Sequence, residues 1–568
     1  MRAYDRRRFL QHTLSATALA VTGVSLSACG PGGDLEPEFL YGVASGDPLA
    51  DRVILWTHAK VRDSDLAVDV EWEVSLDNTF AALVSRGSAV ASAETGYTVK
   101  VDATGLQAGT EYFFRFRRGV SISPVGRTRT LPTGAPTAVR FAVFSCSNYP
   151  SGYFNVYGAA AASDAQYALH LGDYIYEYAA DGYASASAAT LGRVVVPAKE
   201  ILSLQDYRTR YAQYRSDPDA KTLHARMPMI SVWDDHELAN DAWRDGAGNH
   251  TPATEGSFTA RRSSAQQAYH EWMPIRTGSD RSLIYRSFNF GNLLTLHMLD
   301  TRTIGRDQQI QVPDLLNPAT AAVAQATFAS PTRQMMGSTQ QQWLQTGLAQ
   351  STAIWQVLGQ QVLMGRMEFP ASVLQVLDPS NTSPAAQAAG QVAINAYLTA
   401  KGKKAAGAPL TPQEAALLDP RVNPMLGYNL DAWDGYPAAR ETLLASALQL
   451  RKKLVVLAGD THNAWHSNVT LKGLVPGGPP AGTKVGEEFA TSSVSSPGLE
   501  EYLTLPTAQV EAIFKGVVDD LRWMDASRRG YLKMTFTPTE AKGEWIFVST
   551  IKSQTYTVST GYTATYAA

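Results

Sequence analysis

The sequence predicts an α/β protein, with one large layered domain preceded by a small all-β domain. Three observations carry this. From Val139 onward, short apolar runs alternate with helical stretches, and the runs show so little polar alternation that both their faces should be buried. Residues 39–133 instead hold brief β-like runs separated by turn signals, with no helix-length period. The 568 residues are 45% hydrophobic and 10% aromatic, which allows several domains and a sizeable core and excludes disorder. A formal net charge of −3 excludes a broad basic surface, so no nucleic-acid-binding face is expected. With only 2 cysteines, Cys29 and Cys146, the chain is no disulfide scaffold.

The N-terminus comes first. Asp5-Arg6-Arg7-Arg8-Phe9-Leu10 precedes an apolar stretch from Leu14 to Leu26. That is a charged start and a hydrophobic segment too short for an ordinary anchor across a core of about 30 Å. The paired arginines with Phe-Leu are similar to a twin-arginine export signal; a general secretory signal with a basic start is the other reading. Leu26-Ser27-Ala28-Cys29 reads as a lipobox, which would make Cys29 the lipidated N-terminus of the mature chain. Cleavage nearby by the ordinary peptidase, with loss of Cys29, is the alternative. Residues 1–28 hold four Arg and one Asp, so their removal takes the formal charge from −3 to −6. The expected location is the periplasm or cell surface, reached through the twin-arginine translocase. That route carries folded proteins, which fits a metal loaded in the cytoplasm. Residues 29–38 read as a Gly/Pro linker.

Residues 39–133 then show strands at Arg52–Thr57, Val68–Ser75, Gly96–Val101 and Glu111–Arg117. Leu106–Phe116 looks like the tyrosine corner of a fibronectin-III or immunoglobulin-like sandwich. In residues 134–568 the buried runs are Phe141–Cys146, Ala168–Asp173, Met229–Asp235, Leu293–Asp300, Trp355–Leu363 and Leu454–Asp460. Helical stretches lie at Asp206–Arg215, Arg261–Trp272, Thr339–Gln350 and Ala438–Lys452, the third opened by a Ser338/Gln341 capping box. Residues 378–436 read as an insertion covering the sheet end, 505–525 as an amphipathic helix, and Tyr531–Thr537 with Glu544–Ile551 as a closing hairpin. There is no internal repeat.

The chemistry sits at strand ends. One run ends in Cys146, the next in Gly172-Asp173, a third in Asp234-Asp235-His236-Glu237, and the last in Gly459-Asp460-Thr461-His462. In open α/β sheets ligands bind outside the carboxyl ends of the strands. Charged groups gathered there need pairing or a cation, and lysine is almost absent from these segments, so a metal cluster answers the need. Singly, each motif has a plain structural explanation. Asp-Asp-His-Glu can cap a helix, and Cys146 can be a small buried apolar residue. Their order along successive strands is far more specific. No P-loop, dinucleotide fingerprint or Gly-x-Ser-x-Gly elbow competes with it.

These residues resemble the calcineurin-like metallophosphoesterases, and within them the PhoD-like alkaline phosphatases, over nearly the whole chain. The resemblance rests on Phe39–Pro48 with Ile54–Thr57, Ser145–Tyr153, His170–Tyr178, Trp233–Glu237, Leu299–Arg302 and Gly459–His462. It implies a four-layer αββα metallophosphoesterase domain behind the sandwich. It implies a hydrolase of phosphate monoesters or diesters holding Fe(III) and Ca²⁺, expected to be a monomer. Asp173 would bridge the metals, and Tyr176, Cys146 and His462 would be iron ligands. Asp235 takes the slot of the superfamily's Asn on the second-metal side. Asp460 takes that of its first His there, without assignment to one metal. Asp in place of Asn and His, with Gln360-Gln361 where a His usually ends the fifth strand, leaves mainly oxygen donors, which suit calcium. Asn240 is a further calcium-ligand candidate. In the implied mechanism an iron-bound hydroxide attacks phosphorus, and His236 contacts the phosphoryl group or protonates the leaving oxygen. Arg208 and Arg210 would clamp phosphate, their alternative being a solvated helix face. The rival readings are a phosphodiesterase or phospholipase D of the same fold, and a non-catalytic surface-binding lipoprotein.

Overall fold

The apolar runs become two large mixed sheets. In the computed structural model, residues 36–375, 383–475, 477–503 and 505–568 are described; the expected signal peptide and Cys29 lie outside them. The first sheet has nine strands, in the order Val558–Ala567, Glu540–Val548, Gly530–Phe536, Val139–Phe144, Tyr167–His170, Met229–Ser231, Val43–Gly46, Arg52–His58 and Thr98–Thr104. Val139–Phe144, Tyr167–His170 and Met229–Ser231 run parallel, with Phe141 opposite Tyr167 and Leu169 opposite Ile230. The second sheet has seven, in the order Arg286–Phe290, Leu294–Met298, Trp355–Gly359, Lys453–Ala458, Lys484–Ala490, Ala464–Thr470 and Leu521–Asp525. Its second to fifth strands are parallel.

The missing polar alternation has a packing cause. Along Trp355–Gly359, Trp355 and Val357 enter a core shared with the first sheet, while Leu358 enters a second core with Leu344, Leu348, Leu443 and Leu444 of two helices. Val455 and Leu457 likewise face one core, and Leu454, Val456 and Ala458 the other. Each such side chain contributes roughly 1.5–3 kcal/mol on full burial. Tyr207, Tyr211, Tyr214, Ala268 and Tyr269 bring the helices Leu204–Ser216 and Phe258–Trp272 onto the first core.

The sheet crosses the expected boundary at residues 133–134. Val43–Gly46 pairs in parallel with Met229–Ser231 through Gly46 and Met229, and carries Arg52–His58 and Thr98–Thr104 with it. A Cβ at Gly46 would meet the carbonyls of Pro274 at 2.2 Å and Met229 at 2.4 Å, so only glycine allows this approach. A separate five-stranded sheet holds Val68–Ser75, Leu83–Ala91 and Glu111–Arg118 with two short strands. Val70, Val74, Phe114 and Phe116 from it share a small core with Val43, Leu55 and Val99 of the first sheet. Tyr112 OH accepts the Gln107 N–H at 2.8 Å. Pro37–Glu38, expected as linker, pairs with Lys60–Val61.

The four expected helices appear at Leu204–Ser216, Phe258–Trp272, Gly337–Gln350 and Pro437–Gln449. The capping box at Ser338 does not form: the helix starts one residue earlier, so Ser338 sits inside its first turn. Capping boxes occur instead at Ser203/Asp206 and Thr411/Glu414. The stretch 505–525 divides into a helix, Thr507–Val517, which buries Val510, Ile513, Phe514 and Val517, and a strand, Leu521–Asp525. The closing hairpin gains a third strand, Val558–Ala567, and pairs antiparallel with Val139–Phe144.

Candidate metal centre

The site is built where four parallel strands stop. Cys146 follows Val139–Phe144, Asp173 follows Tyr167–His170, Asp234 to Glu237 follow Met229–Ser231, and Asp460 and His462 follow Lys453–Ala458. The backbone turns sharply at each. Cys146, Asp173, Asp460 and His462 have φ of 61°, 58°, 64° and 63°, the left-handed region that costs a non-glycine residue energy and clusters at functional sites. Gly172, at φ 111°, lets the Asp173 loop pass Asp234, whose Cβ would lie 2.3 Å from an added methyl. The Cys146 N–H then bonds the Gly172 carbonyl, and the Ser147 N–H that of Asp173 at 2.8 Å, locking the first two loops together. Glu237 completes the frame, its buried carboxylate accepting the backbone N–H groups of Asp173, Tyr174 and Asp234 at 3.0, 2.6 and 2.8 Å.

Three groups of ligand-capable atoms result, each with its atoms within 4.8 Å of one another. They are Cys146/Asp173/His462, Asp173/Asp235/His236 and Asp234/Asp235/Asp460. Asp173 belongs to the first two and Asp235 to the last two. Tyr176 OH donates to Asp173 Oδ2 at 3.1 Å, lies 3.2 Å from His462 Nε2 and accepts the Ser496 hydroxyl at 2.6 Å. His462 Nδ1 faces the Pro497 carbonyl at 2.7 Å, which places the proton there and leaves Nε2 as a lone-pair donor toward Cys146 and Asp173. His236 Nδ1 bonds buried Glu177 at 2.7 Å, and its ring stacks on Tyr176 at 4.2 Å.

The charges do not balance without a cation. Arg302, fully buried, pairs with Asp234, with Asp460 at 2.9 Å, Asp235 at 3.7 Å and Asp431 at 2.7 Å. Arg306 adds one guanidinium, bound to Asp431. Burial pushes Asp173 and Asp460 well above the usual carboxylate range, and burial with the Asp173 charge pushes up the Cys146 thiol. Burial alone would raise Asp235 too, but Arg302 and then His236 hold it down to about 2. Burial opposes charge on His236, yet Glu177, Asp173 and Asp235 together hold its imidazole well above the ordinary value. Buried acids in such excess fit bound metal ions.

Residues 141–545 match the family model of the PhoD-like phosphatases, and residues 28–132 that of the PhoD-like phosphatase N-terminal domain. The chain belongs to the PhoD-like phosphatase family. Alkaline phosphatase D of Bacillus subtilis (strain 168) is 33% identical to it over 572 residues, covering 95% of this chain and 84% of that protein. A solved structure described as "Structure of PhoD" is 30% identical with a TM-score of 0.72, covering 95% of this chain and 92% of its own. As a PhoD-like phosphatase the chain is a phosphoric ester hydrolase, and metal dependence goes with the family. That sets aside the non-catalytic lipoprotein.

Within this PhoD-like site the structure brings together Cys146, Asp173, Tyr176, Asp235, His236, Asp460 and His462. Asn240 stands next to it, giving its backbone N–H to Glu177 at 2.8 Å. Arg208 and Arg210 are not brought in. Arg208 forms a bidentate pair with Glu271 at 2.7 Å and reaches the carbonyls of Ala93 and Glu94. Arg210 is fully buried and spends its donors on the carbonyls of Tyr176, Tyr178, Val196 and Pro197. Neither guanidinium has a free edge for phosphate, so the expected clamp is corrected to two structural braces. Sequence reasoning missed the roles of Glu177, Glu237, Arg302 and Asp431. The first three stand inside motifs already noticed, whereas Asp431 lies in the insertion with no local signal.

Proposed function

We propose that this protein is an exported phosphatase that hydrolyses phosphate monoesters, diesters or both, at a centre of one iron and calcium, within a four-layer αββα domain. The observation that supports it is the sharing of Asp173 between a sulfur-, nitrogen- and oxygen-donor group and an oxygen-rich one. Cys146, Tyr176, His462 and Asp173 would hold iron, since thiolate, phenolate and imidazole suit it. Asp173 and Asp235, with Asp460 and Asn240, would hold calcium, which takes oxygen ligands. When bound, the metals supply an activated water and neutralise charge on the phosphoryl oxygens. Glu177 fixes His236 through Nδ1, so Nε2 serves as the donor to the phosphoryl or leaving oxygen. Glu237 keeps the Asp173 and Asp234 loops in register.

Metal analysis of the purified protein, with assays on p-nitrophenyl phosphate and its bis ester, tests this. Iron and calcium should copurify, and Asp173→Ala and His462→Ala should lose metal and activity together. A visible charge-transfer band should vanish in Tyr176→Phe. Full activity and metal content in Asp173→Ala would sink the site. Preference for the bis ester would favour the diesterase reading. Among the described residues no helix is long and apolar enough to cross a membrane. Export rests on the twin arginines: Arg6→Lys with Arg7→Lys should keep the protein in the cytoplasm, and Cys29→Ser should release it from membranes if Cys29 is lipidated.

A further inference from the structure

The amino ends of the parallel strands, opposite the metal loops, close around a small cavity of about 140 Å³. Arg140, Gln166 and Pro228 line it where Val139–Phe144, Tyr167–His170 and Met229–Ser231 begin. Arg127 and Arg129 reach it from Gly126–Arg129 of the five-stranded sheet, and Arg226 from the end of the helix Pro218–Arg226. Cys146 lies one strand length beyond Arg140, so the cavity and the metal centre stand about 20 Å apart, at ~3.3 Å per residue.

Four guanidiniums share two carboxylates there. Glu111 lies 3.4 Å from Arg127 and 3.6 Å from Arg129, and Asp164 lies 3.2 Å from Arg140 while also meeting Lys533 at 3.3 Å. Each carboxylate is thus divided between two cations at long range. The Arg226 guanidinium has no ion pair or hydrogen bond among the described residues; only its carbonyl is engaged, by Arg127 Nε at 3.3 Å. The lining keeps a formal charge of +2, four arginines against Glu111 and Asp164. Gln166 Oε1 accepts the Arg140 N–H at 3.0 Å, so its amide adds neutral donors to the wall and no counter-charge.

Like charges gathered in a partly buried cleft repel, and a bound anion relieves the repulsion. Guanidinium forks match phosphate oxygens bidentately. The volume admits about five waters at roughly 30 Å³ each, the number of heavy atoms in a phosphate, and leaves no room for a bulky alcohol. A phosphoric ester hydrolase releases phosphate into its own surroundings. We propose that this cavity is a second phosphate site, separate from the metal centre, which binds inorganic phosphate and ties the five-stranded sheet to the amino ends of the catalytic strands.

The test is equilibrium dialysis of the metal-loaded full chain against radiolabelled phosphate at constant ionic strength. Phosphate should bind at two sites, and its inhibition constant against p-nitrophenyl phosphate reports the metal site alone. Arg127→Gln with Arg226→Gln should weaken the other site by about tenfold or more, the usual effect of losing a hydrogen bond to a charged group. That pair should leave the inhibition constant and the turnover of p-nitrophenyl phosphate unchanged. Sulfate should displace phosphate from the second site, and chloride should not. A single site in the native protein, or two undiminished sites in the double variant, overturns the proposal. So does displacement by chloride, which would show only diffuse attraction to a basic surface. Should the double variant fail to fold, crystals of the native protein soaked in tungstate, a heavy tetrahedral oxyanion, decide the matter: density among the four arginines is expected, and an empty cavity refutes the site.

Discussion

Glu177 shows how much of the site's work is done one residue away from the metals. Fully buried, it accepts from His236 Nδ1, the Asn240 N–H and Asn249 Nδ2, so its position is over-determined and the imidazole can point only one way. Glu177→Gln should lower kcat about 10²-fold, the usual size of a general acid–base contribution, with metal content unchanged. Loss of metal along with activity would mean that Glu177 organises the ligand loops instead. Arg302 is the opposite case, a cation held only by anions. Arg302→Met should destabilise the chelated protein by about 3–5 kcal/mol, because it leaves buried carboxylates uncompensated. Added calcium should recover part of that loss in thermal unfolding. No change in melting temperature would refute the role.

At the scale of elements, the two arginines of Leu204–Ser216 act as braces on different neighbours. Arg210 holds the carbonyls of Tyr176 and Tyr178 to those of Val196 and Pro197, so it shapes the loop that presents the Tyr176 phenol. Arg210→Ala leaves buried carbonyls without donors, at about 1–3 kcal/mol each. It should also shift the charge-transfer band proposed for Tyr176, which a remote destabilisation would leave alone. Arg208 ties the same helix to Glu271 on Phe258–Trp272 and to the segment around Ala93. Arg208→Ala should therefore reduce stability while leaving kcat and the band unchanged; a large fall in kcat would return it to the phosphate clamp.

For the whole molecule, packing sets the pH range. His58, His170, His224, His270 and His297 are buried and belong to none of the ligand groups. Burial lowers His58 and His297 to about 4, His170 and His270 to about 3, and His224 well below its usual value. Unfolded, each titrates near 6.5. Below that pH the unfolded chain binds protons that the folded one refuses. The stability these histidines allow is thus complete above about pH 6.5 and lost progressively toward pH 4, by up to about 1.4 kcal/mol per pH unit for each. Buried Asp173 and Asp460, raised by burial, act with the opposite sign, so the histidine contribution is read as a difference between proteins. His297→Gln, whose amide can still meet Ser287 and Gln356, should lose less stability than the native protein between pH 6.5 and 4.5, seen in melting temperature. Identical slopes would show that His297 is protonated in the fold.

The sequence by itself determined the six buried strands of the large domain, four helices and the ligand-bearing motifs. These are local: a buried strand needs an unbroken apolar run, and its ligands follow within a few residues of its end, so one short window holds both. Tertiary structure decided the pairings. Arg302 meets Asp431 across 129 residues, from an insertion whose sequence carries no metal-like pattern. Val43–Gly46 joins the catalytic sheet because a missing side chain at Gly46 lets Met229 approach. The arginines read as a phosphate clamp became braces, since a guanidinium binds whichever carbonyls or carboxylates the fold places around it. Residue type sets what a side chain can do; only the packing of distant segments sets what it meets.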